Sequence, residues 1–354
     1  MTSDESTPFR WALAGYGAGG RIFHQPLITS ATGLELVAVV TGSPERQHQV
    51  RADLPGATPV AGLAELVDLG VRGVTITTPT ATHAPLAHEA LNLGLHVVLD
   101  KPFALTATDA RDLVDHAARV GRVITPYQNR RWDSDLLTLK KLIADGALGT
   151  VHSFTSRIDR FRPVKGSWHG GTAAEGGGTL LDLGPHLVDQ ALHLFGPVVA
   201  VHAELRTVRA GSGAEDLIEL HLTHAGGVRS TLAAGMASAA PGTRFLVNGT
   251  DGGFLIDGFD VQEEQLKAGD SPATLGEQWG VEPESAWGRL YTGEDDARVV
   301  PSERGRWDTY YPAVARAIAG DGPPPVDPRD AVATAVVLDA ARRSSAEEEV
   351  ITIG

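Results

Sequence analysis

From Phe9 to about Gln128, short β-branched runs alternate with segments of helical periodicity, the pattern of a parallel sheet covered by helices. Strands are expected at residues 11–14, 34–41, 73–78, 96–100 and 122–127. Helices are expected at 63–69, 84–93 and 108–120, the last two stopped by Gly94 and Gly121. This half reads as one doubly wound α/β domain. After Asn129 the texture changes. A helix at 134–144 leads into long alternating strands at 151–160, 198–208 and 217–224, which read as an antiparallel sheet. The stretch 169–178 holds five glycines and reads as a mobile, lid-like loop. It feeds a helix over about 180–194 that Gly196-Pro197 ends, with Gly184-Pro185 inside the pattern as an interruption. Pro323-Pro324-Pro325 is a stiff linker before a helix at 329–342 and a last strand at 350–353.

Composition narrows the function classes. A length of 354 residues suits two domains, each large enough to bury its own core. The absence of cysteine removes thiol nucleophiles, disulfides, iron–sulfur clusters and Cys-ligated zinc, and fits a reducing cytoplasm. With a net charge of −14 and no basic run, nucleic acid is not an expected partner. The start of the chain is acidic and polar, and no window approaches the roughly 18 apolar residues of a membrane span. Neither export by a standard signal nor membrane insertion is expected, and the expected location is the cytoplasm.

The first candidate chemistry is Gly15-Tyr16-Gly17-Ala18-Gly19-Gly20, a G-x-G-x-x-G turn between an expected strand and helix. Gly15 permits the tight turn, Gly17 lets the backbone approach a pyrophosphate, and Gly20 lets the helix pack on the strand with its amides toward the phosphates. In a chain with 41 glycines a bare match is weak, and the strand-turn-helix context is what carries it. No acid stands at the tip of the second strand, where a carboxylate would hold the ribose of NAD. Thr41, Ser43 and Arg46 stand there instead, and Arg46 can meet a 2′-phosphate. NADP is therefore favoured, while a reading of Arg46 as a solvated helix residue leaves NAD open.

Ligands of open parallel sheets bind beyond the carboxyl ends of the strands. Three strands end there in Thr77-Thr78-Pro79, Asp100-Lys101-Pro102 and Tyr127-Gln128-Asn129. Lys101 reads either as a lysine aimed at the nicotinamide or as a surface lysine paired with Asp100. Further along, Asp182 and His186 stand four apart on one expected helix face. The carboxylate would orient the imidazole and raise its pKa toward the working range. A surface i, i+4 pair is the plainer alternative. A metal held by His169, Asp182 and His186 lacks a second histidine at tight ligand spacing, and no metal is expected.

The sequence as a whole resembles the glucose–fructose oxidoreductase, inositol dehydrogenase and MocA family. Gly15-Tyr16-Gly17 with Phe23-His24-Gln25-Pro26 is similar to its opening motif, and Asp100-Lys101-Pro102 to its Glu-Lys-Pro motif with aspartate for glutamate. Within the family the likeness is greatest to NADP-dependent scyllo-inositol dehydrogenases, through Asn129-Arg130-Arg131-Trp132-Asp133, Arg160-Phe161-Arg162-Pro163 and the run from Asp182 to Gln190. The resemblance implies a Rossmann domain over 1–128 and a domain over 129–354 with an open antiparallel sheet for substrate and oligomer contacts, a homodimer or homotetramer. The helix at about 329–342 is free to pack back on the first domain. It implies Lys101, Asp182 and His186 as the catalytic set, and cofactor contacts from the glycine turn, Thr41, Ser43, Arg46, Thr78, Pro79, His83, Lys101 and Asn129. Arg130, Arg131, Arg162, Trp168 and His169 become candidate sugar contacts. The implied reaction is hydride transfer between NADP(H) and a secondary hydroxyl of a cyclic polyol or sugar. An NAD-dependent glycosidase and a non-catalytic dinucleotide sensor are the rival readings on this fold.

Overall fold

The computed structural model describes residues 7–162, 172, 175–240, 242–293 and 296–354. Six strands, β1 (Phe9–Ala14), β2 (Leu34–Val40), β3 (Thr58–Val60), β4 (Gly73–Ile76), β5 (His96–Leu99) and β6 (Ile124–Pro126), form one sheet in the order β3-β2-β1-β4-β5-β6. All its pairs are parallel, and the order reverses between β1 and β4, the switch point at which doubly wound sheets bind dinucleotides. Four of the five expected strands stop one or two residues early. Thr77-Thr78, Asp100-Lys101 and Tyr127-Gln128 therefore leave the ladder as loops that rim the crevice. β3 was not foreseen, since three residues containing Pro59 carry no periodicity and suit only an edge.

The connecting helices are α1 (Gln25–Thr29), α2 (Pro44–Asp53), α3 (Glu65–Asp68), α4 (His83–Asn92) and α5 (Ala107–Val120). Local chemistry sets their ends. In α5 the Thr106 hydroxyl accepts from the Asp109 amide at 3.1 Å, and Gly121 closes the helix at φ 63°. Along β1, Trp11 and Leu13 enter one core while Ala12 and Ala14 enter the other.

The second half comprises α6 (Ser134–Ala144), β7 (Val151–Asp159), α7 (Thr179–Asp182), α8 (Gly184–Phe195), β8 (Val198–Arg206), β9 (Leu217–His224), β10 (Arg229–Gly235), β11 (Phe245–Gly249) and β12 (Gly253–Ile256). There follow α9 (Gln262–Lys267), α10 (Pro272–Leu275), β13 (Gly288–Tyr291), β14 (Ala297–Val300), α11 (Tyr310–Ala319), α12 (Pro328–Glu347) and β15 (Ile351–Thr352). Its nine-stranded sheet runs β14-β13-β12-β11-β7-β10-β9-β8-β15. Every pair is antiparallel except β7 with β10, which lie parallel because the α7–α8 crossover separates β7 from the β8-β9-β10 meander. The helix expected over 180–194 is interrupted where Gly184-Pro185 implied, broken at Leu183, because Pro185 fits a first turn and not an interior. Gly184 also lets α12 close in, since a Cβ there would meet Leu338 at 3.0 Å.

The late chain returns to the first sheet. Trp307, Tyr310, Tyr311 and Val314 pack with Trp11, Leu13, Val39 and Val98 on one face. α12 puts Ala331 and Ala335 into the core on the other face, while its Val337, Leu338 and Ala341 belong to the core of the second sheet.

Candidate active site

The glycine turn is built as its spacing implies. Gly15 has φ +98°, and a Cβ at Gly20 would stand 2.1 Å from the Gly15 carbonyl oxygen, so side chains are excluded at both. At Gly17 the nearest atom to a Cβ is an Arg46 guanidinium nitrogen at 3.9 Å, which leaves that backbone open to a ligand. Ala18 and Gly19 lead into a wide π-helical turn over Gly19–His24. Tyr16 contributes only backbone here, because its ring is buried and its hydroxyl donates to Asp53 at 3.1 Å. At the tip of β2, Ser43 caps α2, and Arg46 is exposed with no hydrogen bond or ion pair from its side chain among the described residues. Thr41 is buried beneath them.

Thr78 and Pro79 rim the crevice after β4. His83, expected at the cofactor, is instead buried, with Nδ1 2.8 Å from the Pro102 carbonyl and Nε2 2.8 Å from the Thr78 carbonyl. A neutral imidazole has one N–H to donate, so it bonds one of these carbonyls while the ring bridges the loop after β4 and the one that carries Lys101. Asn129 is buried in the turn after β6.

Lys101 stands at the tip of β5 and reaches across to the second domain. Its Nζ donates to the Asp182 carboxylate and to the Asp182 carbonyl, each at 2.8 Å. Glu215 fixes the helix bearing Asp182, accepting the Leu180 amide at 3.0 Å as an N-terminal cap for α7. Asp100 accepts the Lys101 amide at 2.7 Å and faces His24 Nε2 at 3.5 Å. Burial pushes the Asp100 carboxyl up, but interactions with His24, Lys101 and His83 beside it outweigh burial and hold it below its usual value. His24 is held in turn by Tyr311, whose hydroxyl is 2.6 Å from Nδ1.

His186 is buried in the first turn of α8. Burial, reinforced by Lys101, Arg130, Arg160 and Arg244, holds its pKa well below the usual histidine value. The sequence reading expected the opposite shift, from Asp182. The Asp182 carboxylate instead lies on Lys101, and the surrounding cations and burial decide the sign.

The candidate sugar contacts divide. Arg131 is committed to a bidentate pair with Asp189, at 2.8 and 2.6 Å, and to Asp330 at 2.9 Å, which makes it part of the framework. Arg130 pairs with Asp133 at 3.0 Å and Glu263 at 2.6 Å, leaving Nε buried and unpartnered among the described residues. Arg162 is exposed. Trp168 and His169, with most of the glycine-rich loop, lie outside the described residues. Arg160 and Glu263 were missed. Arg160 was legible by parity, being the next even position after the buried Phe154, Ser156 and Ile158 of β7.

Comparison with known proteins fits this geometry. Residues 9–128 match the oxidoreductase family model with NAD-binding Rossmann fold, and residues 136–255 match the GFO/IDH/MocA C-terminal domain. The chain belongs to the GFO/IDH/MocA oxidoreductase family. Among curated relatives of this GFO/IDH/MocA protein, an uncharacterised oxidoreductase of Escherichia coli, YdgJ, is 40% identical over 92% of this chain and 93% of that protein. The scyllo-inositol 2-dehydrogenase (NADP(+)) IolW of Bacillus subtilis is 34% identical over 96% of this chain and 95% of that protein. The solved structure of YvaA from Bacillus subtilis, described as an oxidoreductase, superposes with a TM-score of 0.92 at 33% identity, covering 98% of this chain and 99% of that one. As a family member the chain is an oxidoreductase with an NAD(P)-binding Rossmann domain, and no helix among the described residues is long and apolar enough to cross a membrane.

The residues present suit such a dinucleotide. Gly17 offers open backbone beside the Arg46 guanidinium, which has no partner among the described residues. At the other end of the crevice Tyr127 Oη, Gln128 Oε1 and His186 Nδ1 are buried polar atoms with no hydrogen-bond partner among the described residues.

Proposed function

We propose that the chain is an NADP(H)-dependent dehydrogenase that interconverts a secondary hydroxyl and a ketone on a cyclic polyol or sugar of the scyllo-inositol type. The observation that carries this reading is the Lys101–Asp182 pair beside a His186 held neutral, at the carboxyl end of β5. The NADP preference is supported by Arg46 beside Gly17 and by the absence of an acid at the tip of β2. The substrate class is supported by relatives named scyllo-inositol 2-dehydrogenase, D-glucoside 3-dehydrogenase and D-apiose dehydrogenase.

Gly15 to Gly20 and Arg46 would hold the dinucleotide, which when bound supplies the hydride acceptor. A lysine ammonium has three N–H groups, and two of those on Lys101 go to Asp182. The third is left to donate to the substrate oxygen and stabilise charge that develops there. His186 takes the hydroxyl proton, because a neutral imidazole accepts without first losing a proton of its own. Asp182 fixes the direction of the ammonium. In the reverse direction the same imidazolium returns the proton to the oxygen.

The same reading makes the second sheet the substrate side of the cleft and the chain a homodimer or homotetramer. The outward row of that sheet, where Leu246 and Val299 are exposed, supports a contact surface. Light scattering of the purified protein checks it, and a monomer at all concentrations would exclude it.

The function itself is tested by a spectrophotometric screen of inositols and aldoses with NADP and NAD in parallel. Reduction of NADP with a polyol is expected. Silence with every polyol and sugar would sink the reading.

A further inference from the structure

Beside the Lys101–Asp182 pair the cleft holds a second pair of opposite charges, formed by Arg160 and Glu263. Arg160 continues the register of β7, its amide donating to the Gly235 carbonyl at 2.8 Å and its carbonyl accepting from the Ser238 amide at 3.1 Å. With the main chain pinned on both sides, the side chain extends the inward row of Phe154, Ser156 and Ile158. Its guanidinium lies 3.6 Å from Glu263, beyond hydrogen-bond length, and makes no hydrogen bond among the described residues. The Arg160 side chain is 24% exposed, so a ligand can reach it, and its N–H groups have no hydrogen-bond acceptor among the described residues.

Glu263 is held more firmly. Arg130 reaches one carboxylate oxygen at 2.6 Å and Lys267 the other at 2.8 Å. Burial alone would raise this carboxyl, but Arg130, Lys267 and Arg160 bring it down to about 2, so it stays an acceptor at every working pH. Arg160 stands close enough to the reacting centre for its charge to act on both His186 and Asp182, and contacts link Glu263 to the helix that bears His186. Gln190, one turn after His186 on the same face of α8, donates to the Arg130 carbonyl at 3.0 Å, and Arg130 carries Glu263.

We propose that Arg160 and Glu263 read the hydroxyls next to the reacting carbon, Arg160 donating to two adjacent oxygens and Glu263 accepting from one hydroxyl. A fixed fork of donors set against a fixed carboxylate matches a vicinal diol and has little use for a lone alcohol. The inference rests on the dehydrogenase reading above and adds to it the two residues that select a ring with hydroxyls on neighbouring carbons over a simple secondary alcohol.

The test compares wild type, Arg160→Met, Arg160→Lys and Glu263→Gln in steady-state oxidation of scyllo-inositol by NADP. trans-1,2-Cyclohexanediol and cyclohexanol serve as competitive inhibitors. Loss of charge-assisted hydrogen bonds in Arg160→Met is expected to raise KM about tenfold or more, with kcat much less affected. Arg160→Lys should recover part of the loss, and the diol's Ki should rise while the mono-alcohol's stays put. Tm and NADP Kd in Arg160→Met should match wild type. An unchanged KM in Arg160→Met, or equal weakening of diol and mono-alcohol, would overturn the assignment while leaving the dehydrogenase reading intact. A wild type that oxidises no polyol would overturn both.

Discussion

Lys101 and Asp182, 81 residues apart, meet twice, the ammonium donating to both the side chain and the carbonyl of the aspartate at 2.8 Å. The lysine proposed as catalytic, in one domain, is thereby aimed by the first helix of a crossover in the other. Lys101→Met should lower kcat by about a hundredfold, the scale of losing one donor to developing oxyanion charge, with dinucleotide affinity kept. Fluorescence titration with NADPH alongside turnover separates the two effects, and a variant with wild-type kcat would remove the lysine from the mechanism.

The depressed pKa of His186 makes a prediction for stability as well as rate. Burial, with Lys101 and three arginines behind it, keeps the folded imidazole neutral, whereas a histidine of the unfolded chain takes a proton near pH 6.5. Below about pH 6.5 the unfolded state therefore binds a proton that the folded state refuses, so stability falls as pH falls. His186→Gln should show a shallower acid decline than wild type in urea titrations between about pH 5 and 8. Parallel pH slopes in the two proteins would contradict the shift.

Arg46 has no competing partner from its side chain among the described residues, so its contribution should be specific to one cofactor. Arg46→Ala should weaken NADP binding by about ten- to a hundredfold, as expected for a charge-assisted contact to phosphate, and leave NAD binding nearly unchanged. Equal weakening of both would assign the arginine to the fold.

Two glycines of one turn should fail in different ways. Gly17→Ala meets only the tip of Arg46 and should fold normally yet lose dinucleotide affinity. Gly20→Ala drives a Cβ onto the Gly15 carbonyl and should lower the melting temperature before any ligand is added. Thermal melts with and without NADPH distinguish these outcomes.

Arg131 should behave as framework. Removing it leaves the buried Asp189 without its bidentate partner, at a cost of about 3–5 kcal/mol in urea unfolding. A raised KM with stability intact would return Arg131 to the substrate.

What was legible in the sequence was local. The glycine turn depends on three steric requirements within six residues, and the parallel sheet announces itself by short buried runs between capped helices. Proline chemistry at 184–185 likewise foretold the break between α7 and α8. Relations across the chain were not legible. Arg131 looks the same in sequence whether it faces a sugar or Asp189, and only packing chooses between them. The sign of the His186 shift depends on burial and on Lys101, Arg130, Arg160 and Arg244, drawn from distant positions, while Asp182, the carboxylate expected to govern it, is paired with Lys101. The ties of His83 were hidden for the same reason, its neighbours Thr78 and Pro102 being brought together only by the sheet.

The return of α11 and α12 to the first sheet bears on how the protein is made. Trp11, Leu13 and Val39 are covered by Trp307, Tyr310, Tyr311 and Val314, which leave the ribosome some 270 residues after β2. At translation rates of roughly 5–20 residues per second the nucleotide sheet waits for many seconds with one apolar face bare. The nascent chain thus keeps that face bare until α11 has emerged, and residues 9–128, a complete unit by pattern, lack one of their apolar covers until then.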